Sequence, residues 1–340
     1  MSVATIGTGL AGCLGDGDDD PGDPADDGDD TAPADDGDDS DDSMDADDSG
    51  DDSVPTDDTG DDSDTDPDDD IEYERLRFVV ISDGHWGVDA PDEEHFRFPE
   101  DGATDVTYQE THQMALEQIH AVHDEHEIDF LVDNGDVVHD EVSLHEEKID
   151  EFYSELPEGV DWYPTFGNHD WATDEEWEDI YGHPKQHTFQ VGDYGAILTE
   201  TGLPRDPEHG RPANADPNFI EQAIDDLEDD GAEFIFGFQH IPPYPSRYGQ
   251  LMPNVQEQWG RDSVAAVFCG HNHNSNDMVI EGDQRYFQCE LVGNRMVHVD
   301  RGIRVLDVEG DVFRTQQLSY DGDVLMEVTF DPTEPPEAEE

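Results

Sequence analysis

From residue 71 onward, the apolar and polar positions alternate between the spacing of buried strands and that of amphipathic helices. Leu76–Ile81 (LRFVVI) is a nearly continuous apolar run ending in Ser82-Asp83-Gly84-His85, which predicts a buried strand entering a loop. Residues 108–126 have helical spacing, with Ala115, Ile119 and Val122 on one face. Phe130-Leu131-Val132 predicts the next strand, ending at Asp133-Asn134-Gly135-Asp136. A helix is predicted over 143–155, then an extended segment Trp162–Phe166 ending at Gly167-Asn168-His169-Asp170, then a helix over 174–181. Thr188–Val191 and Gly195–Thr199 read as strands, and 217–229 as an acidic amphipathic helix. Strands Glu233–Phe238 and Val264–Phe268 run into Gln239-His240 and Cys269-Gly270-His271-Asn272-His273. From Met278 to about Phe330, strands alternate with turns such as Glu309-Gly310-Asp311 and Asp321-Gly322-Asp323. The first half is therefore α/β and the tail antiparallel β, so mixed sheets covered by helices are expected.

Before residue 71 this patterning vanishes. Residues 1–70 hold 29 Asp and no Glu, Lys or Arg; massed like charge with little apolar surface cannot offset the entropy of ordering. Residues 14–70 are expected to be a disordered Asp-rich spacer, 71–330 one folded domain and 331–340 an acidic tail. A calcium loop is excluded in the spacer, because the frame starting at Asp16 places Pro21 and Asp27 where Gly and Glu are required. No apolar run reaches the about 20 residues that a membrane-spanning helix needs.

Residues 3–13 (VATIGTGLAGC) are mostly apolar and end in Leu10-Ala11-Gly12-Cys13, which resembles the lipobox of exported lipoproteins. A signal peptide requires a positively charged segment before its apolar run, and no Lys or Arg precedes this one. Two readings stand: residues 1–13 are the end of a lipoprotein signal that begins further upstream, or the LAGC is a coincidence. The first implies a lipid on Cys13, membrane anchoring and a location on the extracellular face of the cell membrane.

Charge changes the picture again. The chain carries a net −78, and residues 71–340 alone, with 63 acids against all 14 bases, carry −49. Self-repulsion of that size is relieved at about 1 M salt, where the Debye length falls to about 3 Å. The bases are twelve Arg and only Lys148 and Lys185, and the composition resembles that of proteins from extremely halophilic archaea. No nucleic-acid partner is expected, since such a surface repels polyanions where screening is weak.

Five strands end in loops holding Asp, Asn or His, and carboxyl ends of strands in an open α/β sheet share one ligand-binding edge. Asp83, His85, Asp136, Asn168, His240, His271 and His273 can therefore converge. Imidazole with carboxylate and amide oxygen suits Mn, Fe or Zn. Seven ligands suffice for two such ions if one carboxylate bridges, and two ions about 3.5–4 Å apart can hold a phosphate and generate a hydroxide.

The ordered series Asp83-x-His85, Gly135-Asp136, Gly167-Asn168-His169-Asp170, His240 and Gly270-His271-x-His273 resembles the calcineurin-like metallophosphoesterase superfamily over roughly residues 75–315. The resemblance implies an α/β sandwich of two mixed sheets flanked by helices, and a binuclear metal-dependent phosphoesterase acting on phosphate mono- or diesters by a metal-activated hydroxide. It implies that Asp83, His85 and His273 hold one metal and Asn168, His240 and His271 the other, with Asp136 between them. His169 would touch the phosphate and protonate the leaving oxygen, and Asp170 would orient its imidazole. The competing reading, a catalytically inactive metal-binding surface lipoprotein on this fold, predicts a lost ligand or a lost His169, and neither is lost.

Of the other histidines, His112, His120, His123 and His126 are expected to be solvated on their helix, and His95, His145, His183, His187, His209 and His298 lack a motif. His139 lies three residues after Asp136, where the purple acid phosphatase branch has a Tyr metal ligand. This chain keeps His85, which that branch does not, so an iron–tyrosinate chromophore is not expected. Cys269 and Cys289 read as either a bridge or two buried thiols. Tyr244 and Arg247 read as either lining the site mouth or ordinary loop residues.

Overall fold

The run Leu76–Ile81 forms β1, buried along its whole length because alternate residues face two different apolar layers. Leu76, Phe78 and Val80 point into the layer between two sheets, while Val79 and Ile81 point to a helical layer outside. The computed structural model describes residues 75–88, 107–201, 215–246, 251–273, 278–281, 284–289, 291–293, 301–334 and 336. The Cys13, spacer, His95, His209, His298 and Arg247 readings lie outside the described residues.

The first sheet places β1 beside β2 (Phe130–Asp133), with β3 (Asp161–Pro164) beyond it, all parallel. On the other side of β1 lie β10 (Gly302–Glu309), β11 (Val312–Ser319) and β12 (Val324–Phe330), each antiparallel to its neighbour. In the second sheet β5 (Tyr194–Leu198), β6 (Phe234–Gln239), β7 (Val264–Cys269) and β9 (Gln284–Gln288) are parallel neighbours. Its edges are the antiparallel β4 (His187–Val191) and β8 (Met278–Glu281). The sheets meet over an aromatic layer. Phe78 stacks on Phe130 at 4.8 Å and meets Phe236, Phe238 and Phe268 edge-on. Each such fully buried ring contributes about 1.5–3 kcal/mol.

Helices cover the outer faces. α1 (Tyr108–Glu125) and α2 (Ser143–Glu151) lie on the first sheet, where Ala115, Leu116, Ile119 and Val122 pack with Val79, Ile81 and Leu131. α3 (Asp174–Tyr181) follows β3, and its Trp177 packs on Phe166. α4 (Pro217–Asp229) and α5 (Pro253–Trp259) cover the second sheet through Ile220, Ile224, Leu227 and Trp259. α1 and α3 both open with a capping box, Thr107 with Glu110 and Thr173 with Glu176, which satisfies two orphan N–H groups reciprocally. The architecture is a sandwich of two mixed sheets flanked by helices. Among the described residues no helix is long and apolar enough to cross a membrane.

The structure differs from the sequence reading in several places. The helix expected over 143–155 stops at Glu151, and Tyr153–Glu155 form a separate 3-10 turn. β3 ends at Pro164, because Phe166 turns its carbonyl to the N–H of Thr201. The C-terminal strands divide: β8 and β9 complete the second sheet, and β10–β12 the first. His112 is buried rather than solvated, its Nδ1–H donating to the Tyr108 carbonyl at 2.8 Å, and His145 is buried as well. Cys269 pairs in register with Gln288, so Cys289 projects from the opposite face. No disulfide joins the two buried thiols, which lie in different apolar layers.

Candidate metal centre

β1, β2 and β3 run parallel, so their carboxyl ends open on one edge, and β6 and β7 bring two more loops to it. Backbone hydrogen bonds tie these loops to one another. Asp83 N–H donates to the Gly135 carbonyl at 3.0 Å, His85 N–H to that of Asp136 at 2.8 Å, and Gly270 N–H to that of His240 at 2.9 Å. Close approach requires glycine here. A Cβ on Gly135, whose φ is +86°, would sit 2.6 Å from the His240 Cβ, and one on Gly270 would sit 2.7 Å from Asp83 Oδ2.

Among the described residues the side chains meet in three groups: two share the Asp136 carboxylate, and His85, His139 and His169 form the third. Asp83, His85, Asp136 and His273 present ligand atoms within 4.8 Å of one another, and so do Asp136, His240 and His271. Asp83 Oδ1 lies 2.9 Å from His273 Nε2, Asp136 Oδ2 lies 3.2 Å from His240 Nε2 and 3.6 Å from His85 Nε2, and the His85 and His273 Nε2 atoms are 3.2 Å apart. Asn168 is buried between Gly167, which packs on the Asp136 backbone, and His169, whose N–H donates to Asp136 Oδ1 at 2.7 Å. All seven metal candidates therefore lie on this edge. Asn134, which sequence reading passed over, holds it together. Its carbonyl takes the His240 Nδ1 proton at 2.8 Å, leaving Nε2 to face Asp136, and its amide donates to the Phe268 carbonyl across the sandwich at 3.0 Å.

Asp170 does not orient His169. Its carboxylate accepts from the N–H of Val138 at 3.0 Å and of Gly167 at 2.8 Å, which fixes the loop backbone. The carboxylate beside the His169 ring is that of Asp140, whose Oδ1 lies 2.8 Å from Nδ1. The Asp140 backbone N–H also donates to the His169 carbonyl at 2.9 Å, so residue and ring are matched twice. Tyr244 is buried against Tyr286 instead of lining an opening.

The only two lysines of the chain stand behind the loops. Lys148, fully buried, donates to Asp133 Oδ2 at 2.6 Å and to the Val137 carbonyl at 3.1 Å, and Tyr153 donates to the same carboxylate oxygen at 2.7 Å. Lys185 donates to the Ala172 carbonyl at 2.8 Å, pairs with Asp174 and Glu200, and caps the Phe166 ring at 4.0 Å.

The electrostatics favour a cation at the centre. Burial would raise the Asp83 and Asp136 carboxyls, but the imidazoles around them, His273 and His240 for Asp83 and chiefly His240 for Asp136, hold both below the usual range. Burial would lower His240, yet Asp136 and Asp83 draw a proton to it and push it up to about 10. His271, desolvated and next to His240, falls to about 4. Burial and the neighbouring Asp136 push Asp170 up to about 7. Among the described residues neither Asp83 nor Asp136 pairs with Lys or Arg, and Asp136 Oδ2 and His240 Nε2 face each other with no aligned hydrogen bond. Two buried carboxylates ringed by imidazoles fit hard-to-borderline divalent cations.

The calcineurin-like phosphoesterase family profile matches residues 76–275. Among solved structures, a dimetal phosphatase from Danio rerio aligns at 13% identity over 75% of this chain and 98% of its own, with a TM-score of 0.54. A putative 5'-nucleotidase from Staphylococcus aureus (14% identity, 77% of this chain and 55% of its own, TM-score 0.44) and the calcineurin-like phosphoesterase YfkN from Bacillus subtilis (12%, 75% and 90%, TM-score 0.43) are also similar. No curated protein matches the chain in sequence. With the profile spanning more than half of the chain and a cluster of Asp and His ligands at its centre, this protein belongs to the calcineurin-like phosphoesterase family and is a metal-dependent hydrolase of phosphoric esters.

Proposed function

We propose that the protein is a binuclear phosphoesterase that cleaves phosphate mono- or diesters of small molecules. The observation that carries this reading is the pair of ligand groups sharing Asp136. Asp83, His85 and His273 would hold one ion, Asn168, His240 and His271 the other, and Asp136 both; Mn, Fe and Zn suit these donors. Bound there, two such ions supply the positive charge that binds phosphate and lowers the proton affinity of water. The chain's own residues do the rest. Asn134 and Ser82 lock the ligand loops, the latter donating to Asp83 Oδ2 at 2.7 Å. His169, nearly buried and held at Nδ1 by Asp140, is left with Nε2 as the nitrogen that gives its proton to the departing oxygen, a contribution of about 10²–10⁴ in rate. Asp170 keeps the loop under His169 in place.

The setting we infer is the outer face of a cell membrane in a high-salt organism. Leu10-Ala11-Gly12-Cys13 supports lipid attachment, and the −49 charge of residues 71–340 supports operation where salt screens repulsion. The test is hydrolysis of p-nitrophenyl phosphate against bis(p-nitrophenyl) phosphate with added Mn(II), Fe(II) or Zn(II), from 0.1 M to about 3 M KCl. Turnover that rises with salt and disappears on chelation is expected, and N168A and H240A should each lose bound metal. Absence of turnover of both esters with every metal, in a chain that retains no ion, refutes the reading. An unmodified peptide spanning Cys13, recovered from native cells, refutes the anchor.

A further inference from the structure

His139 lies in neither of the two groups that share Asp136, but its ring clusters with those of His85 and His169, ligand atoms of all three lying within 4.8 Å of one another, and two loops of the centre hold it. Its backbone N–H donates to the carbonyl of Trp86, the residue after His85, at 3.2 Å. Its ring nitrogen Nδ1 lies 3.2 Å from Nδ1 of His85. The same ring stacks on that of His169 at 4.5 Å and 19°. Its Nε2 lies 3.8 Å from Asp140 Oδ2, while the other oxygen of that carboxylate holds His169.

We propose that His139 is a positioning residue: its Nδ1 accepts the Nδ1–H of His85, which fixes the tautomer that aims His85 Nε2 at Asp136 and the cation, and through Asp140 it ties this ligand to His169. The proton count leaves little freedom. Two facing imidazole nitrogens 3.2 Å apart need one donor and one acceptor. His85 must keep a lone pair on Nε2, the atom that faces Asp136 at 3.6 Å and His273 at 3.2 Å, so its proton sits on Nδ1. His139 must then accept at Nδ1 and carry its proton on Nε2, which is the nitrogen turned to the Asp140 carboxylate. A ligand histidine commonly passes its second N–H to a carboxylate or carbonyl, and loss of that partner costs about 10–100-fold in metal affinity. Here the partner is a second imidazole, whose Nε2 faces the same carboxylate that holds His169.

This inference rests on the proposed ligand assignment. The test is a titration of metal-free full-length chain with Zn(II) against a chromophoric chelator, for wild type, H139A and H139Q, beside their melting temperatures. H139A should weaken one of two Zn(II) sites about 10–100-fold. H139Q, whose amide oxygen can still accept from His85, should recover most of that affinity. In 15N-histidine-labelled, Zn(II)-loaded wild type, His85 should carry its proton on Nδ1. Unchanged affinity in H139A, an H139Q as weak as H139A, or an Nε2-protonated His85 overturns the proposal while leaving the centre intact. Failure of wild type itself to bind Zn(II) overturns both. Should H139A not fold, the tautomer in wild type decides.

Discussion

Replacing Lys148 with Met removes one charge from a fully buried pair and tests how the centre is braced. The ammonium lies 2.6 Å from Asp133 Oδ2, where two unit charges at an effective dielectric of 20 attract by about 6 kcal/mol before desolvation is counted. Methionine fills most of the volume but leaves Asp133 with the Tyr153 hydroxyl at 2.7 Å, and the Val137 carbonyl without its lysine donor. Breaking a buried pair from one side costs about 3–5 kcal/mol, a large part of the about 5–15 kcal/mol that holds a domain together. Lys148 also sits under the first ligand loop, since a Cβ on Gly84 would come within 2.6 Å of its Nζ. Metal affinity should therefore fall together with stability.

The assay is denaturant unfolding of wild type, K148M, D133N and K148M/D133N in chelator, repeated with Zn(II). The single variant should lose about 3–5 kcal/mol, and the double variant, with no charge left inside, should regain at least half of that. Because ligand binding adds RT ln(1 + [L]/Kd) to stability, the Zn(II)-induced gain should be smaller in K148M than in wild type. A K148M chain within about 1 kcal/mol of wild type, or a double variant no more stable than the single, would refute the brace.

Three further outcomes are expected. D140A should lower kcat about tenfold or more while leaving the melting temperature near wild type, and D170N should do the reverse, losing about 1.5–3 kcal/mol of loop stability; the opposite pattern would return the orienting role to Asp170. G270A should lose at least half of its bound metal by elemental analysis, because the new methyl meets Ser82 Oγ, Asp83 Oδ2 and His240 Nδ1; full metal content would show that the loop yields. Burial, helped by Lys148, lowers His145 to about 3, so below pH 6.5 the unfolded chain takes a proton that the folded one refuses. Stability should thus be complete above 6.5 and fall by about 1.4 kcal/mol per pH unit from this residue as pH drops towards 3, and H145Q should remove that slope in acid denaturation, an unchanged slope counting against it.

The ligand loops were legible because each follows a strand whose apolar run is unmistakable, and because Asp, Asn and His at strand ends have few reasons to coincide five times. Layers were legible too, since both faces of β1, β2, β6 and β7 are apolar. The orientation of His169 was not. Asp170 is adjacent to it in sequence, but neighbours on a tight loop project in different directions, and the carboxylate that meets the ring arrives from the loop after β2. His112 could have been found, because it lies three and four residues before Ala115 and Leu116 on the apolar stripe of α1. Lys148 follows His145 by three on the buried face of α2, yet polar residues on a buried face leave no apolar signal. α5, seven residues long, is too short for periodicity to reveal. Which sheet each C-terminal strand joins is decided by pairing, to which alternation is blind.

Backbone strain shows where those hidden residues act. Six non-glycine residues among those described have positive φ: Asp83 at 53°, His85 at 42°, Asp136 at 50°, Asp140 at 58°, His271 at 70° and His273 at 60°. Five are proposed ligands and the sixth holds His169. Such residues cost on the order of 1–3 kcal/mol each when the conformation is strained, less for Asp and His, and persist where surroundings over-determine them. The surroundings here are the loop-to-loop hydrogen bonds, Asn134 across the sandwich, and the two lysines behind the loops after β2 and β3. A chain with 92 acids and two lysines keeps both of them inside, against the backbone that carries the ligands. Loosening either brace should consequently weaken metal binding along with stability, since it removes part of what holds the ligand residues at positive φ.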